Sequence, residues 1–449
     1  MKRMLRLAKR VVLVASALVI VLAVAHAVIR ITTHIDAPSV AVPAALDARD
    51  SVTVRSGLSL VTLAGTPEDI GAANARVVRA GMLDTEGQLW TDFAVHVPWR
   101  VLRAGIEDWA LVRYRHVDRG IPPDRLRELA AQAAAFDPDP WVTLMPTYQR
   151  MLFLHALYDV ALPLEHSPVI GCSSLAFRAP PERGGHEIVA RAFDFEAGEV
   201  FDREKVVYLV HEDGAVPFAS VSWPGLVGVV TGMNAAGVFV AVHGARAGET
   251  TSDGMPVAFS LREVLERAHD TDEAVAILSA QHPMVSHIVF VADGSGAIAV
   301  VERTPGVPAF ARRSDGTGWV ANAFEGPMAN DPKNQRVLAT STSAARDARL
   351  RELLGPDGPP HETVQDALAM LRDHRCAGGV VCPRGDRRTI DALIATHGVV
   401  ADTTARVLYV SVGPHLSGRF VGVDLLAPEV PPTPATLPAD PTIAAGGAP

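Results

Sequence analysis

Three textures of apolar and polar positions follow one another along this chain. Residues 11–29 are apolar without a break apart from Ser16 and His26. Those nineteen residues, at about 1.5 Å of helical rise each, nearly match a bilayer core of roughly 30 Å. Residues 31–60 are polar and turn-rich and read as a linker. From about 66 to 160 the period is helical. Residues 124–136 carry apolar side chains at three- and four-residue spacing behind the start signal Pro122-Pro123, and 141–160 form a further apolar helix.

At Cys172 the pattern turns to strands. Short apolar, β-branched runs occupy 172–177, 187–195, 205–211, 217–223, 228–233 and 238–243, separated by turns such as Arg183-Gly184-Gly185 and Asp213-Gly214. Two helices are expected next: one behind a capping box at Ser260-Leu-Arg-Glu263, the second running from Thr271. Strands return at 287–292 and 297–302. The Gly-rich link Asp293-Gly294-Ser295-Gly296 is a hairpin turn and not a nucleotide loop, because strand follows it. Helices at 344–354 and 362–372 precede strands at 388–396, 406–412 and 419–424. The Pro- and Ala-rich tail, 427–449, reads as disordered. Runs of strands alternating with runs of helices predict an α+β fold of stacked layers.

Charge and cysteine content narrow the setting. Lys2, Arg3, Arg6, Lys9 and Arg10 precede the apolar run, a basic flank that stays cytoplasmic and sends the rest outward. Residues 1–30 are then a signal anchor, or a signal peptide cleaved near Ala25-His26-Ala27. Either way the body is exported. The net charge of −9 gives no basic footprint for nucleic acid. Sixteen histidines show no ligand spacing, so no metal and no cofactor is expected. Cys376 and Cys382 are either a short-loop disulfide, plausible in an oxidising compartment, or two free thiols. Cys172 is left over.

Cys172 follows Gly171 at the change from helix to strand. A cysteine opening an apolar strand is ordinarily a core thiol, but other features gather around it. Arg191 and Asp194 interrupt an apolar strand, as a structural ion pair or as fixed charges able to lower and orient the thiol. Gly232-Met233-Asn234-Ala235-Ala236-Gly237 is a tight turn between strands. Asn322 ends another strand, where an amide N–H is a fair oxyanion donor.

Taken in order, Gly171-Cys172-Ser173-Ser174-Leu175-Ala176, Arg191-x-x-Asp194-Phe195, Gly232-Met233-Asn234-x-x-Gly237 and Asn322 resemble the penicillin acyltransferase-like Ntn hydrolases, peptidase family C45. Choloylglycine hydrolases and acid ceramidases are wider relatives. Leu63-Ala-Gly-Thr-Pro-Glu-Asp-Ile-Gly71 is similar to the family's opening segment and Ser417-Gly418-Arg419-Phe420-Val421 to its closing strand, so the resemblance spans about 60–426.

That resemblance implies an αββα sandwich over 172–426 preceded by a helical prosegment, 61–171. It implies that Cys172 attacks the Gly171 carbonyl, cuts the chain and becomes a new N-terminus whose α-amine serves as base. The two fragments stay associated. Arg191 and Asp194 would flank the nucleophile, Asp194 holding the α-amine or a substrate N–H, and Asn322 would donate to the oxyanion. Arg346 matches loosely the active-site arginine of choloylglycine hydrolases. His243 stands where relatives tend to carry asparagine, either as a substrate-binding or second acid/base group or as a strand-end histidine facing solvent. The implied activity is cleavage of a linear N-acyl amide, or acyl transfer, through an acyl-cysteine. The competing readings are an inactive envelope domain of the same fold and a cysteine hydrolase that works uncleaved with His243 or His211 as base.

Overall fold

A computed structural model describes residues 2–162, 170–195 and 198–441. The N-terminal part holds α1 (Lys2–Thr32), β1 (Ser51–Arg55), β2 (Leu58–Gly65), α2 (Pro67–Val77), α3 (Arg79–His96), α4 (Arg100–Arg113), α5 (Pro123–Ala135), α6 (Thr147–His155) and α7 (Leu157–Ala161). Next come β3 (Ile170–Arg178), β4 (Glu187–Phe195), α8 (Val200–Arg203), β5 (Val206–Glu212), β6 (Phe218–Ser222), β7 (Thr231–Asn234) and β8 (Phe239–Gly244). Then follow α9 (Val257–Arg267), α10 (Thr271–Ala280), β9 (His287–Ala292), β10 (Ala297–Thr304), β11 (Val307–Asp315) and β12 (Thr317–Val320). The chain closes with α11 (Pro332–Thr340), α12 (Ser343–Leu353), α13 (Val364–Leu371), β13 (Ala395–Asp402), β14 (Val407–Ser411), β15 (Phe420–Asp424) and β16 (Thr436–Leu437).

The strands form two sheets. Among the described residues the first has nine strands in the order β1-β2-β5-β6-β7-β8-β9-β10-β11, the second seven in the order β12-β3-β4-β13-β14-β15-β16. Alternation of side chains along each strand gives every sheet two faces, and the apolar residues sort accordingly. Leu60, Val207, Phe290 and Val300 of the first sheet meet Ala176, Val189, Val399 and Leu408 of the second between the sheets. On the far side of the first sheet, Tyr208 and Val240 pack under Leu261 and Val264 of α9. On the far side of the second, Leu175 and Ile188 pack under Leu350 of α12 and Leu368 of α13. The layers are helix, sheet, sheet, helix.

Helices do fill 67–161, but the segment expected as a linker contributes a hairpin. β1 pairs with β2, and β2 runs parallel to β5, placing N-terminal strands at the edge of the first sheet. Buried charges tie the helical part down as well: Arg262 of α9 bonds Glu128 of α5 at 2.7 Å and Glu212 of β5 at 2.9 Å.

Several local expectations fail. Ser260 lies inside α9, whose N-cap is Pro256, and its hydroxyl bonds the Arg303 guanidinium. The strand expected at 388–396 is mostly loop: Leu393 takes φ +55° with its N–H on the Asp391 carboxylate, and strand geometry starts at Ala395. The tail read as disordered is packed as far as β16, with Leu437 buried; 442–449 lie outside the described residues. Cys376 and Cys382 are joined in a disulfide. Helix α1 is long and apolar enough to cross a membrane, and its span has no buried residues.

Candidate active site

Cys172 is the third residue of β3, in register with Phe193 of β4, while Gly171 faces Asp194. Cys172, Ser174 and Ala176 share one face of the strand by its two-residue period, and Ala176 marks that face as the one toward the other sheet. Ser174 confirms the direction, since its hydroxyl meets His243 Nε2 of β8 across the gap at 2.8 Å. Cys172 is wholly buried.

Arg191, one strand over and of the same parity, aims Nη2 at the Cys172 sulfur from 3.7 Å. Its Nε and Nη1 have no hydrogen-bond partner among the described residues. The ion pair read into Arg191 and Asp194 does not form. Three residues apart on a regular strand point to opposite faces, so Asp194 lies on the helix side with its carboxylate against the Gly171 Cα. A Cβ built on Gly171 would sit 3.0 Å from Asp194 Oδ2.

Asn322, just beyond β12, holds the peptide at Cys172. Its Oδ1 accepts the Cys172 backbone N–H at 2.9 Å and Arg346 Nη2 at 2.6 Å. Two donors converging on one atom fix that atom as the oxygen. Its Nδ2 donates to the Gly244 carbonyl at 2.8 Å, rather than standing free for an oxyanion. Arg346, a residue of α12, also donates through Nη1 to the Cys172 carbonyl and to the Ser173 hydroxyl. Sequence reasoning therefore brought together Gly171, Cys172, Arg191, Asp194, His243, Asn322 and Arg346.

It missed Ser173 and Ser174, which orient Arg346 and His243, and Ser343, whose hydroxyl receives the Asn322 N–H. It also missed Tyr158 of α7. Its hydroxyl is buried with no hydrogen-bond partner among the described residues, and burial, followed by the charges of Asp159 and Cys172, holds that phenol well above its ordinary pKa.

Burial dominates the electrostatics. It pushes the Cys172 thiol above its ordinary value, against the opposing pull of Arg191 and Arg346. It raises the Asp194 carboxyl to about 7, with Arg346 opposing. Burial and the two arginines drive His243 well below the usual imidazole range. In the intact chain the sulfur is thus a neutral thiol beside two cations, and His243 is a neutral ring bound to a serine. The arrangement grips both sides of the Cys172 residue, and among the described residues no proton acceptor is hydrogen-bonded to the sulfur.

Residues 182–387 match the family described as acyl-coenzyme A:6-aminopenicillanic acid acyl-transferase. This chain resembles the penicillin acyltransferase family. The match to the penicillin acyltransferases takes in Arg191, Asp194, His243, Asn322 and Arg346 and begins beyond Cys172. An uncharacterized protein of Archaeoglobus fulgidus is 25% identical over 197 residues, 43% of this chain and 32% of its own length. The chain thus spans about a third of that curated relative. The N-acylethanolamine-hydrolyzing acid amidase ortholog of Caenorhabditis elegans aligns at 17% identity over 52% of this chain and 93% of its own, with TM-score 0.36. Penicillin V acylase from Agrobacterium tumefaciens aligns at 16% identity over 57% and 86%, with TM-score 0.38.

Proposed function

We propose that this chain is the precursor of an exported Ntn-type amidohydrolase that cuts itself between Gly171 and Cys172. The observation that carries the reading is the double hold on Cys172: Asn322 Oδ1 on its N–H and Arg346 on its carbonyl, with Arg191 beside its sulfur. A core thiol needs no such frame.

In the first step the sulfur adds to the Gly171 carbonyl, the C–N bond breaks, and a thioester joins Gly171 to the Cys172 sulfur while the Cys172 nitrogen gains the thiol proton as a free amine. Water then hydrolyses the thioester and restores the thiol. The released α-amine, with an unperturbed pKa of about 8, supplies the proton acceptor that the intact site lacks. It sits where Asn322 Oδ1 already receives an N–H. The same amine and thiol then attack a linear N-acyl amide, the sulfur taking the acyl group and the leaving amine taking the proton. Water releases the acid; an amine acceptor would instead make the step an acyl transfer. Hydrolysis suits an exported enzyme, where acyl-CoA is not expected.

The reading that uses an uncleaved chain with His243 as base is disfavoured, because His243 Nε2 is committed to Ser174 and burial holds the ring well below the usual imidazole pKa. The test is direct. The full chain and Cys172→Ala are expressed, run on a denaturing gel and sequenced from their N-termini. The parent should yield a fragment beginning Cys-Ser-Ser-Leu and the variant should stay whole. A folded parent of unchanged length would end the self-processing proposal.

A further inference from the structure

The solvent side of α4 is apolar. Val101, Leu102, Trp109 and Val112 are 41–76% exposed, and Val101, Gly105, Trp109 and Val112 fall on one stripe at helical spacing. Trp99, just before the helix, is 75% exposed, and Val95 near the end of α3 is 69% exposed. Soluble surfaces scatter such residues singly; a contiguous set with two tryptophans marks a contact surface.

The other flank of α4 says what lies nearby. Asp108 bonds His26 Nδ1 at 2.9 Å and Glu107 bonds Arg30 Nη2 at 2.9 Å. Arg30 also reaches the Leu144 carbonyl, and Gln149 Nε2 holds the Thr33 carbonyl at 2.8 Å. The last two turns of α1 are therefore clamped to the helical part, and α4 sits where α1 leaves it. Below that clamp the large apolar side chains from Val11 to Val24 stand 51–69% exposed, with nothing among the described residues covering them.

We propose that the exposed face of α4 rests in the headgroup region of the same bilayer leaflet from which α1 emerges, as a second membrane contact. Tryptophan favours that zone because one end of its ring system is apolar and the N–H can stay wet. A helix lying in the interface buries an apolar face by only about 5–10 Å, and the clamp to His26 and Arg30 places α4 at that level if residues 11–29 fill the core. The inference rests on α1 being retained as an anchor. A second copy of the chain would be the competing occupant, but continuity with the exposed span of α1 favours lipid.

The test uses the full chain in phosphatidylcholine vesicles with brominated acyl chains, read by tryptophan emission. Bromolipid should quench the parent, and W99F/W109F should remove most of that quenching. Leu22→Trp in the W99F/W109F background reports α1 itself. Equal quenching of parent and double variant with Leu22→Trp quenched would overturn the α4 contact while leaving the anchor. An unquenched Leu22→Trp would overturn the anchor and the contact with it. Shielding of Trp99 and Trp109 from aqueous iodide without bromolipid quenching would assign the face to a protein partner and also overturn the proposal.

Discussion

Leu63 of β2 and Val210 of β5 are register partners in a parallel strand pair, although the Gly171–Cys172 bond lies between them in the chain. The first sheet is therefore built from both sides of the proposed cut. Cutting the chain removes no hydrogen bond of that pair, nor the buried bonds across the cut that Arg262 donates to Glu128 and Arg125 donates to Glu212. The cleaved protein should run as two bands on a denaturing gel and elute as one species on native gel filtration. Glu128→Ala should weaken that union, since removing one partner of a buried charged group costs about 3–5 kcal/mol. Fragments that separate without denaturant in the parent would contradict this account.

Asn322→Ala removes the acceptor that holds the Cys172 N–H and one anchor of Arg346. Loss of a preorganised polar group at a reacting centre typically costs about 10²–10³ in rate. Self-cleavage followed by gel time course should slow by about that factor, with folding judged by unchanged circular dichroism. Cleavage at the parent rate would show that the grip on the nitrogen is not part of the chemistry.

Gly171→Val addresses the other side of the bond. The close approach of Asp194 leaves no room for a branched side chain without moving the carboxylate. The variant precursor should fold and cleave slowly or not at all, and Gly171→Val with Asp194→Ala should relieve the crowding without recovering the parent rate. Unimpaired cleavage of Gly171→Val would mean that Asp194 need not stay where it is.

The strand and helix pairs around Cys172 were legible because burial writes a two-residue period into β3, β4 and β8 and a helical period into α9 and α12. What the period also contained, and sequence reading overlooked, is that Arg191 and Asp194 must face opposite ways. β11 was missed because the consecutive Arg312 and Arg313, on opposite faces of the strand, put a charge on both sides and break its apolar alternation, and α11 because Lys333, Asn334, Gln335 and Arg336 leave it almost no apolar stripe. Tyr158 could not be foreseen: it comes near the site through tertiary packing from a helix before the proposed cut. The roles of Ser173, Ser174 and Ser343 were hidden for the same reason, because a serine beside a motif gives no sign of which side chain it orients.

His243→Asn should leave self-cleavage intact. The imidazole is neutral, buried and bonded to Ser174, and an asparagine can replace that bond. Gel analysis of the variant should show the same two fragments at a rate within a few-fold of the parent. Complete loss of cleavage in a folded variant would revive histidine as the base.

Asp159 of α7 lends itself to a stability measurement that leaves Cys172 aside. Its carboxylate accepts the Val257 N–H at 3.1 Å at the start of α9, and burial raises its pKa to about 8. The unfolded value is about 3.9. Between those values the folded state holds a proton that the unfolded state has released, so this group's contribution makes stability fall as pH rises from about 4 to about 8. Asparagine imitates the protonated form and still offers an oxygen to Val257. In the uncleavable Cys172→Ala background, Asp159→Asn should match its parent in thermal midpoint near pH 4 and exceed it increasingly toward pH 8. A tenfold difference in proton affinity between the folded and unfolded chain corresponds to about 1.4 kcal/mol. Parallel midpoint curves across that range would show that Asp159 is ionised in the fold despite its burial, with Arg303 supplying the compensating charge.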